Sequence, residues 1–342
     1  MKKKNLLFAL ALAMMSSAHA GFEESVKALQ ARDFKTGIDE ARKIADAGDP
    51  RGFFLLGVAY HDGLGMPADA VQSYAMFERA AQGGVRAAPG KLAWARMRGD
   101  GTDKDLGKAL AFARAAVQMQ DPEGMFLVYV ILHNDALGFT DANGRTNSVK
   151  YEQLAARTLL ERTLDVEAQD NLYRAAMAGL PSALTLLAAN LGGVVGEGNR
   201  AKMLALMGKL PGQKMQALQA YEGIARHMEA LGPTMATPQV FVDAQKSQTI
   251  AAGLLACGTN AAAQTAPAQV VATAISKPLV DSRYLPSKVP GFEQAFLVAG
   301  NWEEDWTYTA CNNKVVLHIS FIADGMGGAR FSSKLMGKDI PR

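Results

Sequence analysis

The chain has 342 residues, 49% of them hydrophobic and 20% charged, which allows a buried core, fits two domains and excludes an intrinsically disordered protein. The formal net charge of +3 comes from Lys2, Lys3 and Lys4, and the rest of the chain has 33 basic and 33 acidic residues. This balance argues against a nucleic-acid-binding protein, which needs a basic surface.

Residues 1–20 are predicted to be a signal peptide. The three lysines precede a short apolar run, and an Ala-His-Ala sequence fits the small-residue cleavage rule, which puts the cut between Ala20 and Gly21. The run is too short for a lasting anchor, and no later segment reaches about 18 uninterrupted apolar residues. We therefore expect an exported protein with no stable membrane span after cleavage. The alternative is an uncleaved N-terminal anchor.

The stretch 51–84 predicts two helices joined by a glycine-rich turn. Gly63 and Gly65 end the first helix, because two glycines so close together favour a turn. The second helix follows Pro67 and stops at Gly83. Two helices of this length cannot bury their apolar faces alone, so they need neighbouring units of the same kind. A helical pair over 22–48 is expected to open such an array.

A shift of 36 residues places this stretch on the next one. The matched residues are Gly63 with Gly99, Gly65 with Gly101, Asp69 with Asp105, and Gly57 with Ala93, which is also small. The chain therefore contains an internally repeated helical pair.

The repeated residues resemble the Sel-one-like repeat (SLR), a helical repeat related to the tetratricopeptide repeat (TPR). The residues that carry the resemblance are Gly57, Tyr60, Gly63, Gly65, Asp69, Phe77, Ala80, Ala81 and Gly83, followed by Gly99, Gly101 and Asp105. A fragment over 174–179 with an apolar helix after it extends the pattern. The resemblance implies a mainly α fold, a helix-turn-helix solenoid of the SLR/TPR type over 21–232. The side chains after it separately predict a small C-terminal antiparallel β module.

The same resemblance implies a non-catalytic scaffold for protein–protein interaction in a Gram-negative periplasm, without a cofactor. Helical-repeat arrays present a concave groove that suits an extended peptide or a folded protein. The expected partner is another envelope protein or a peptide, and the candidate contact residues are Tyr60, His61, Arg79 and Trp94. The sequence predicts no oligomeric state.

Composition and period change in the C-terminal third. Residues 233–290 are rich in Ala, Thr, Gln and Pro and are interpreted as a partly structured linker, with a strand over 270–275. Apolar and polar side chains then alternate over 302–333, which predicts a small β module over 291–342.

The β module is expected to contain a hairpin that turns at Asn312-Asn313, because Asn tolerates positive φ. This turn would pair three apolar residues of one strand with three of the next on one face. The expected pairs are Ala310 with Val315, Tyr308 with Leu317, and Trp306 with Ile319. The opposite face would be mostly polar.

The two cysteines, Cys257 and Cys311, are predicted to form a disulfide in an oxidising compartment. The chain-entropy model gives such a closure roughly 4 kcal/mol of stabilisation. The alternative is a pair of separately buried thiols. Neither cysteine lies in a CxxC pair, so no redox or zinc motif is present.

One other class of function stays open, that of a cell-envelope hydrolase or a small-ligand binder acting on the cell wall. The polar face of the hairpin would bring Asp305, His318 and Ser320 together, but nothing supplies an oxyanion hole or a nucleophile elbow. Glu303 and Glu304 are interpreted as the charged start of a strand, since adjacent strand residues point to opposite faces. A third possibility is that the β module makes the functional contacts and the helices act as a spacer.

Overall fold

The computed structural model describes residues 21–135, 162–191, 216–258 and 267–339, together with residues 159, 201, 204 and 205. The chain divides into two compact units, residues 1–137 and 138–342. The predicted signal peptide lies outside the described residues, and Gly21, which follows it, is helical. Within the described part, no helix combines the length and the apolar character needed to cross a bilayer.

The first unit is an array of antiparallel helical pairs, here called the helical array. It contains α1 (21–30), α2 (Phe34–Asp46), α3 (Pro50–Asp62), α4 (Ala70–Gln82), α5 (Ala88–Arg98), α6 (Leu106–Gln118) and α7 (Pro122–Val130), followed by a π-helical turn over Ile131–Asp135. The helices α2, α4 and α6 each have 13 residues and begin 36 residues apart. The predicted repeat is therefore also a repeat in the fold.

Capping residues set this period. Asp33, Asp69 and Asp105 each cap the N-terminus of a helix, and each side chain accepts a hydrogen bond from the backbone N–H three residues further on. Gly63 and Gly99 end α3 and α5 in the left-handed conformation, which glycine adopts without a Cβ clash. These interactions fix where each helix starts and stops.

Small residues let the helices of the array approach each other closely. A Cβ on Gly52 would lie 2.5 Å from the backbone nitrogen of Ala45, and a Cβ on Gly124 would lie 2.2 Å from the Cβ of Ala116. The equivalent residue between them, Ala88, is fully buried. Each of these residues lies near the start of a helix, so their 36-residue spacing repeats the same close crossing along the array.

The second unit contains four described helices and one antiparallel sheet. The helices are α8 (Thr163–Met177), α9 (Pro181–Leu191), α10 (Gln216–Leu231) and α11 (Pro238–Cys257). The strands are β1 (Gln269–Tyr284), β2 (Leu297–Ala310), β3 (Asn313–Ala323) and β4 (Ala329–Asp339), in the order β1-β2-β3-β4. Residues of α10 and α11 share one apolar core with the inner face of the sheet, which contains Trp302, Trp306 and Tyr308. The predicted fold class, mainly α repeats with a small C-terminal antiparallel sheet, is confirmed.

The secondary structure differs from the predicted division of the chain in two places. Residues 233–290, interpreted as a partly structured linker with a strand over 270–275, contain the 20-residue helix α11 and the whole of β1, so the sheet begins well before residue 291. The predicted single array over 21–232 also differs from the structure. The helix α8 packs on the loops of the second unit, where Tyr173 stacks on Phe292 with ring centroids 4.8 Å apart.

The predicted face of the hairpin is confirmed, but its register is shifted by two residues. Tyr308 pairs with Val315 and Trp306 with Leu317, and the turn is formed by Cys311 and Asn312, both with positive φ. A shift of two keeps each side chain on its face, because the side-chain period of a strand is two. Asn313 is the first residue of β3 and not part of the turn. Its side chain donates to the carbonyl oxygen of Ala256, the residue before Cys257, at 2.6 Å.

The predicted disulfide is present. Cys257 and Cys311 are bonded with their Cα atoms 5.4 Å apart, 54 residues from each other in sequence. The bond joins the last residue of α11 to the β2–β3 turn. It therefore links covalently the helix and the sheet that share the core of the second unit.

Candidate binding site in the helical array

A cavity of about 260 Å³ lies in the helical array, where α3, α4 and α5 meet. Its walls are formed by aromatic and small apolar side chains, and charged groups lie among them. The lining residues are Val58, His61, Asp62, Ala70, Ser73, Tyr74, Phe77, Lys91, Trp94, Ala95, Arg98 and Asp100. This combination of apolar and convergent polar groups is typical of ligand sites in proteins.

Helical periodicity brings the lining residues together. Four residues of α4 and four of α5 contribute at spacings of three and four, so that each helix presents one face to the cavity. The residues of α4 are Ala70, Ser73, Tyr74 and Phe77, and those of α5 are Lys91, Trp94, Ala95 and Arg98. The C-terminal turn of α3 completes the wall.

The contact between α3 and α4 is tightly packed. A Cβ on Gly57 would lie 2.7 Å from the Phe77 ring, so the glycine at this position allows the ring to lie against α3. The Ser73 hydroxyl donates to the Gly57 carbonyl oxygen at 2.9 Å. Phe77 also contacts Phe54, with ring centroids 5.5 Å apart. The inner wall of the cavity is therefore held in place before any ligand binds.

Cationic side chains lie against the aromatic residues of the site. The Arg98 guanidinium lies 4.5 Å from the centroid of the Trp94 ring, and the Arg96 guanidinium lies 5.0 Å from that of Tyr74. Arg96 also donates from Nε to the Tyr74 hydroxyl at 2.9 Å. Burial raises the pKa of the Tyr74 phenol, so this side chain stays neutral and does not add charge to the cavity.

Charges of both signs line the cavity. Lys91 forms an ion pair with Glu123 at 3.1 Å, and His61 contacts the neighbouring Asp62 at 2.5 Å. Asp62 and Asp100 are matched by two basic residues of α5. The site therefore has no excess of charge of one sign.

Two of the four candidate contact residues lie at this cavity and two do not. His61 and Trp94 line it, on facing helices. Tyr60 is half-buried, and its carbonyl oxygen accepts from the Asp69 N–H at 2.9 Å, within the turn between α3 and α4. The Arg79 guanidinium lies 4.8 Å from the centroid of the Phe53 ring. The sequence alone did not show which two of the four residues would line the cavity.

The polar face of the sheet carries a histidine between two carboxylates. His318 is mostly buried; its Nδ1 lies 2.6 Å from Asp305 and its Nε2 lies 3.0 Å from Glu303. Lys277 lies 3.7 Å from Glu303 on the same face. The cluster therefore links β1, β2 and β3 through polar contacts on one face of the sheet.

This cluster does not have the geometry of a Ser-His-Asp triad. In a triad the serine and the aspartate bond to opposite nitrogens of the ring. Here Ser276 and Asp305 both approach Nδ1 of His318, the serine at 3.5 Å, and Glu303 takes the other nitrogen. Ser320, expected in this set, pairs with Glu303 across the strands.

Glu304 has a role that the sequence analysis missed. Its carboxylate is fully buried on the apolar face of the sheet and accepts five hydrogen bonds. The donors are the indole N–H groups of Trp302 and Trp306, the hydroxyl of Thr234, and the backbone N–H groups of Met235 and Ala236, at 2.6–3.1 Å. The alternation of the strand places Glu304 between the two tryptophans, and this pattern was the available signal.

Metal ligation has no support in the part of the chain that the structure describes. No group of three or more His, Cys, Asp or Glu side chains there is placed to hold a metal ion. The cysteines are bonded to each other, and both nitrogens of His318 face carboxylates.

The solved structures that are similar to this chain include two helical-repeat proteins. The Sel1 repeat protein from Oxalobacter formigenes is 17% identical, with a TM-score of 0.40, over 68% of this chain and 88% of that chain. A protective antigen present in uropathogenic Escherichia coli strains, which displays an SLR fold, is 19% identical, with a TM-score of 0.38, over 71% of this chain and 57% of its own. No family model and no curated protein sequence matches the chain. The repeat architecture therefore rests on the chain's own 36-residue period and on the helices that follow it.

Proposed function

We propose that this chain is a non-catalytic interaction scaffold of the periplasm, whose helical array binds another envelope protein or a peptide. The observation that carries the proposal is the cavity between α3, α4 and α5, which combines aromatic walls with polar groups of both signs. Aromatic and Arg side chains are the residues most enriched at the centres of protein interfaces. Trp94 and Arg98 are such residues.

Export to the periplasm is supported by two features of the chain. The first 20 residues have the basic, apolar and small-residue segments of a signal peptide, with Ala20 and Gly21 at the expected cut. The disulfide between Cys257 and Cys311 fits an oxidising compartment. Cell fractionation with an antibody to the mature chain tests this: recovery in the periplasmic fraction is expected, and retention of an uncut chain in the membrane would contradict it.

Site-directed photo-crosslinking in the native envelope tests the binding function. With p-benzoylphenylalanine in place of Asp62, which lines the cavity, we expect a reproducible cross-linked envelope protein or peptide. The control carries the same group at Arg79, away from the cavity, and is expected to yield little of that product. Equal cross-linking from both positions, or none from Asp62, would contradict binding at the cavity.

The alternative of an envelope hydrolase loses support from the arrangement around His318, because both ring nitrogens face carboxylates. An unchanged hydrolytic background after His318→Gln, assayed on purified cell wall, is the result that the scaffold proposal predicts. A loss of hydrolysis in that variant, with normal folding, would restore the alternative.

The β module as the contact surface is the third possibility, and the same cross-linking experiment addresses it. A photo-reactive group at Lys334, on the exposed face of β4, would then give the main product. The scaffold proposal predicts that the product from the cavity position dominates.

A further inference from the structure

Comparison of the repeats shows which positions of the array differ at this cavity. The first residues of α2, α4 and α6 are Phe34, Ala70 and Leu106, which occupy the same position of the 36-residue repeat. Each follows an aspartate that caps its helix in the same way. The middle repeat thus has a small residue where both neighbours have a large one.

Phe34 shows what a large side chain does at this position. It packs against the apolar cluster formed by α2 and α3, which includes Ile38 and Leu55. Ala70 instead lines the cavity, where its single methyl group occupies less volume than a Phe or Leu side chain would. The middle repeat therefore differs from its neighbours at a residue that lines the cavity.

Two other positions of the same repeat depart from their neighbours. Trp94 stands where the adjacent repeats have Val58 and Val130, and Lys91 stands where they have Leu55 and Leu127. These differences replace two aliphatic side chains of the repeat with an aromatic side chain and a charged one. All three altered positions, 70, 91 and 94, line the one cavity.

We infer that this cavity binds a single neutral aromatic side chain presented by an extended segment of the partner, an inference that rests on the proposed scaffold function. Trp94, Tyr74 and Phe77 supply aromatic faces and edges, and aromatic pairs are favoured beyond the apolar area that they bury. The volume of about 260 Å³ suits one such ring. Because the lining charges of both signs balance, the cavity has no net charge that would attract a charged side chain, and its polar groups offer hydrogen-bond partners to the segment's backbone.

Amino-acid amides test the inference without knowledge of the partner. N-acetyl-tryptophanamide and N-acetyl-leucinamide are titrated into isotopically labelled residues 21–342 and followed by NMR. We expect the tryptophan amide to shift the indole N–H signal of Trp94 and to bind at least tenfold more tightly than the leucine amide. Equal binding of the two amides, or no shift at Trp94 with either, would overturn the inference.

Two variants use residues that the array itself contains at the equivalent positions. Ala70→Leu introduces the larger side chain that the next repeat carries as Leu106, and Trp94→Val removes the aromatic wall. Each is expected to weaken the tryptophan amide at least tenfold. Val71→Leu, at the exposed neighbouring residue, is the matched control and is expected to leave binding unchanged. Undiminished binding in a folded Ala70→Leu protein would overturn the inference.

The same variant separates this inference from the proposed function. If the envelope product cross-linked from Asp62 persists in the Ala70→Leu protein at full yield, the scaffold stands and the aromatic anchor is wrong. If no product forms with the wild-type chain either, the scaffold itself is wrong. Loss of the product in Ala70→Leu, but not in Val71→Leu, supports both.

Discussion

The buried carboxylate of Glu304 gives the sharpest stability prediction for the second unit. It accepts five hydrogen bonds, two of them from the fully buried side chains of Trp302 and Trp306. A hydrogen bond to a charged group contributes roughly 1.5–3 kcal/mol, and a buried donor without a partner costs about 1–3 kcal/mol. Because the five share one acceptor, their contributions are not additive, and Glu304→Ala is expected to cost about 5 kcal/mol or more.

The conservative change at the same position is expected to cost less. Glu304→Gln keeps one acceptor oxygen but places an NH₂ group opposite an indole or backbone donor, so about 2–3 kcal/mol should be lost. The control is Glu303→Gln, on the opposite face of β2 and about one-third exposed, for which the loss should stay below about 1 kcal/mol.

Chemical denaturation measures these differences. The chain has three tryptophans, and Trp302 and Trp306 lie in the core of the second unit. With Trp94→Phe in every sample, the tryptophan fluorescence reports the second unit alone. A Glu304→Ala protein that unfolds within about 1 kcal/mol of its parent would refute the reasoning that this carboxylate holds the loop before α11 to the sheet.

Four further predictions concern local features. Removing the disulfide by changing both cysteines to serine is expected to cost roughly 4 kcal/mol in the second unit, measured by denaturation; a cost under about 1 kcal/mol would contradict it. Burial raises the pKa of Asp121, so its charge destabilises the fold increasingly as pH rises above the ordinary aspartate value. The effect of Asp121→Asn on the free energy of unfolding should therefore be more favourable at pH 7 than at pH 3. Asp105 is an exposed cap whose pKa is lowered by a backbone hydrogen bond, so Asp105→Asn should destabilise the chain at pH 7. Thermal unfolding of both aspartate variants at pH 3 and pH 7 tests the direction of each effect. Gly101→Ala would place a Cβ 2.0 Å from a backbone oxygen at a φ of +68°, whereas Gly84→Ala, at a φ of +81°, meets nothing within 4 Å. The first should cost clearly more than the roughly 1–2 kcal/mol expected of the second, and equal melting temperatures would contradict this.

Local features explain why the helical array could be predicted from the sequence. Gly63, Gly99, Asp69 and Asp105 act within a few residues of themselves, as a left-handed helix end or as an N-terminal cap. Their spacing therefore fixes where helices begin and end. The disulfide was predictable for a different reason, since the chain offers one pairing only.

The helix α11 was missed because its signal is weak in the sequence. Its buried face contains Ala244, Ala252 and Ala256, whose small side chains do not stand out against an Ala- and Thr-rich background. Apolar patterning identifies a helix best when large apolar side chains recur every three or four residues among polar ones. Only the contact of α11 with the sheet shows which alanines lie in the core.

The hairpin register depended on contacts that are distant in sequence. Asn312 and Asn313 both suit a turn, but Asn313 bonds to the end of α11, and Cys311 is joined to Cys257. These tertiary contacts set the turn one residue earlier than local preference indicated. The cavity was unpredictable for a similar reason, because Ala70 lines it only when α3 and α5 are packed beside α4.

Hydrogen exchange with the cross-linked partner, once it is identified, tests the central claim most directly. The full mature chain is compared with and without that partner, and amide protection is followed along the sequence. The scaffold account predicts added protection in α3, α4 and α5, between residues 50 and 98. Protection confined to the sheet, over residues 267–339, would contradict it and would assign the binding function to the β module.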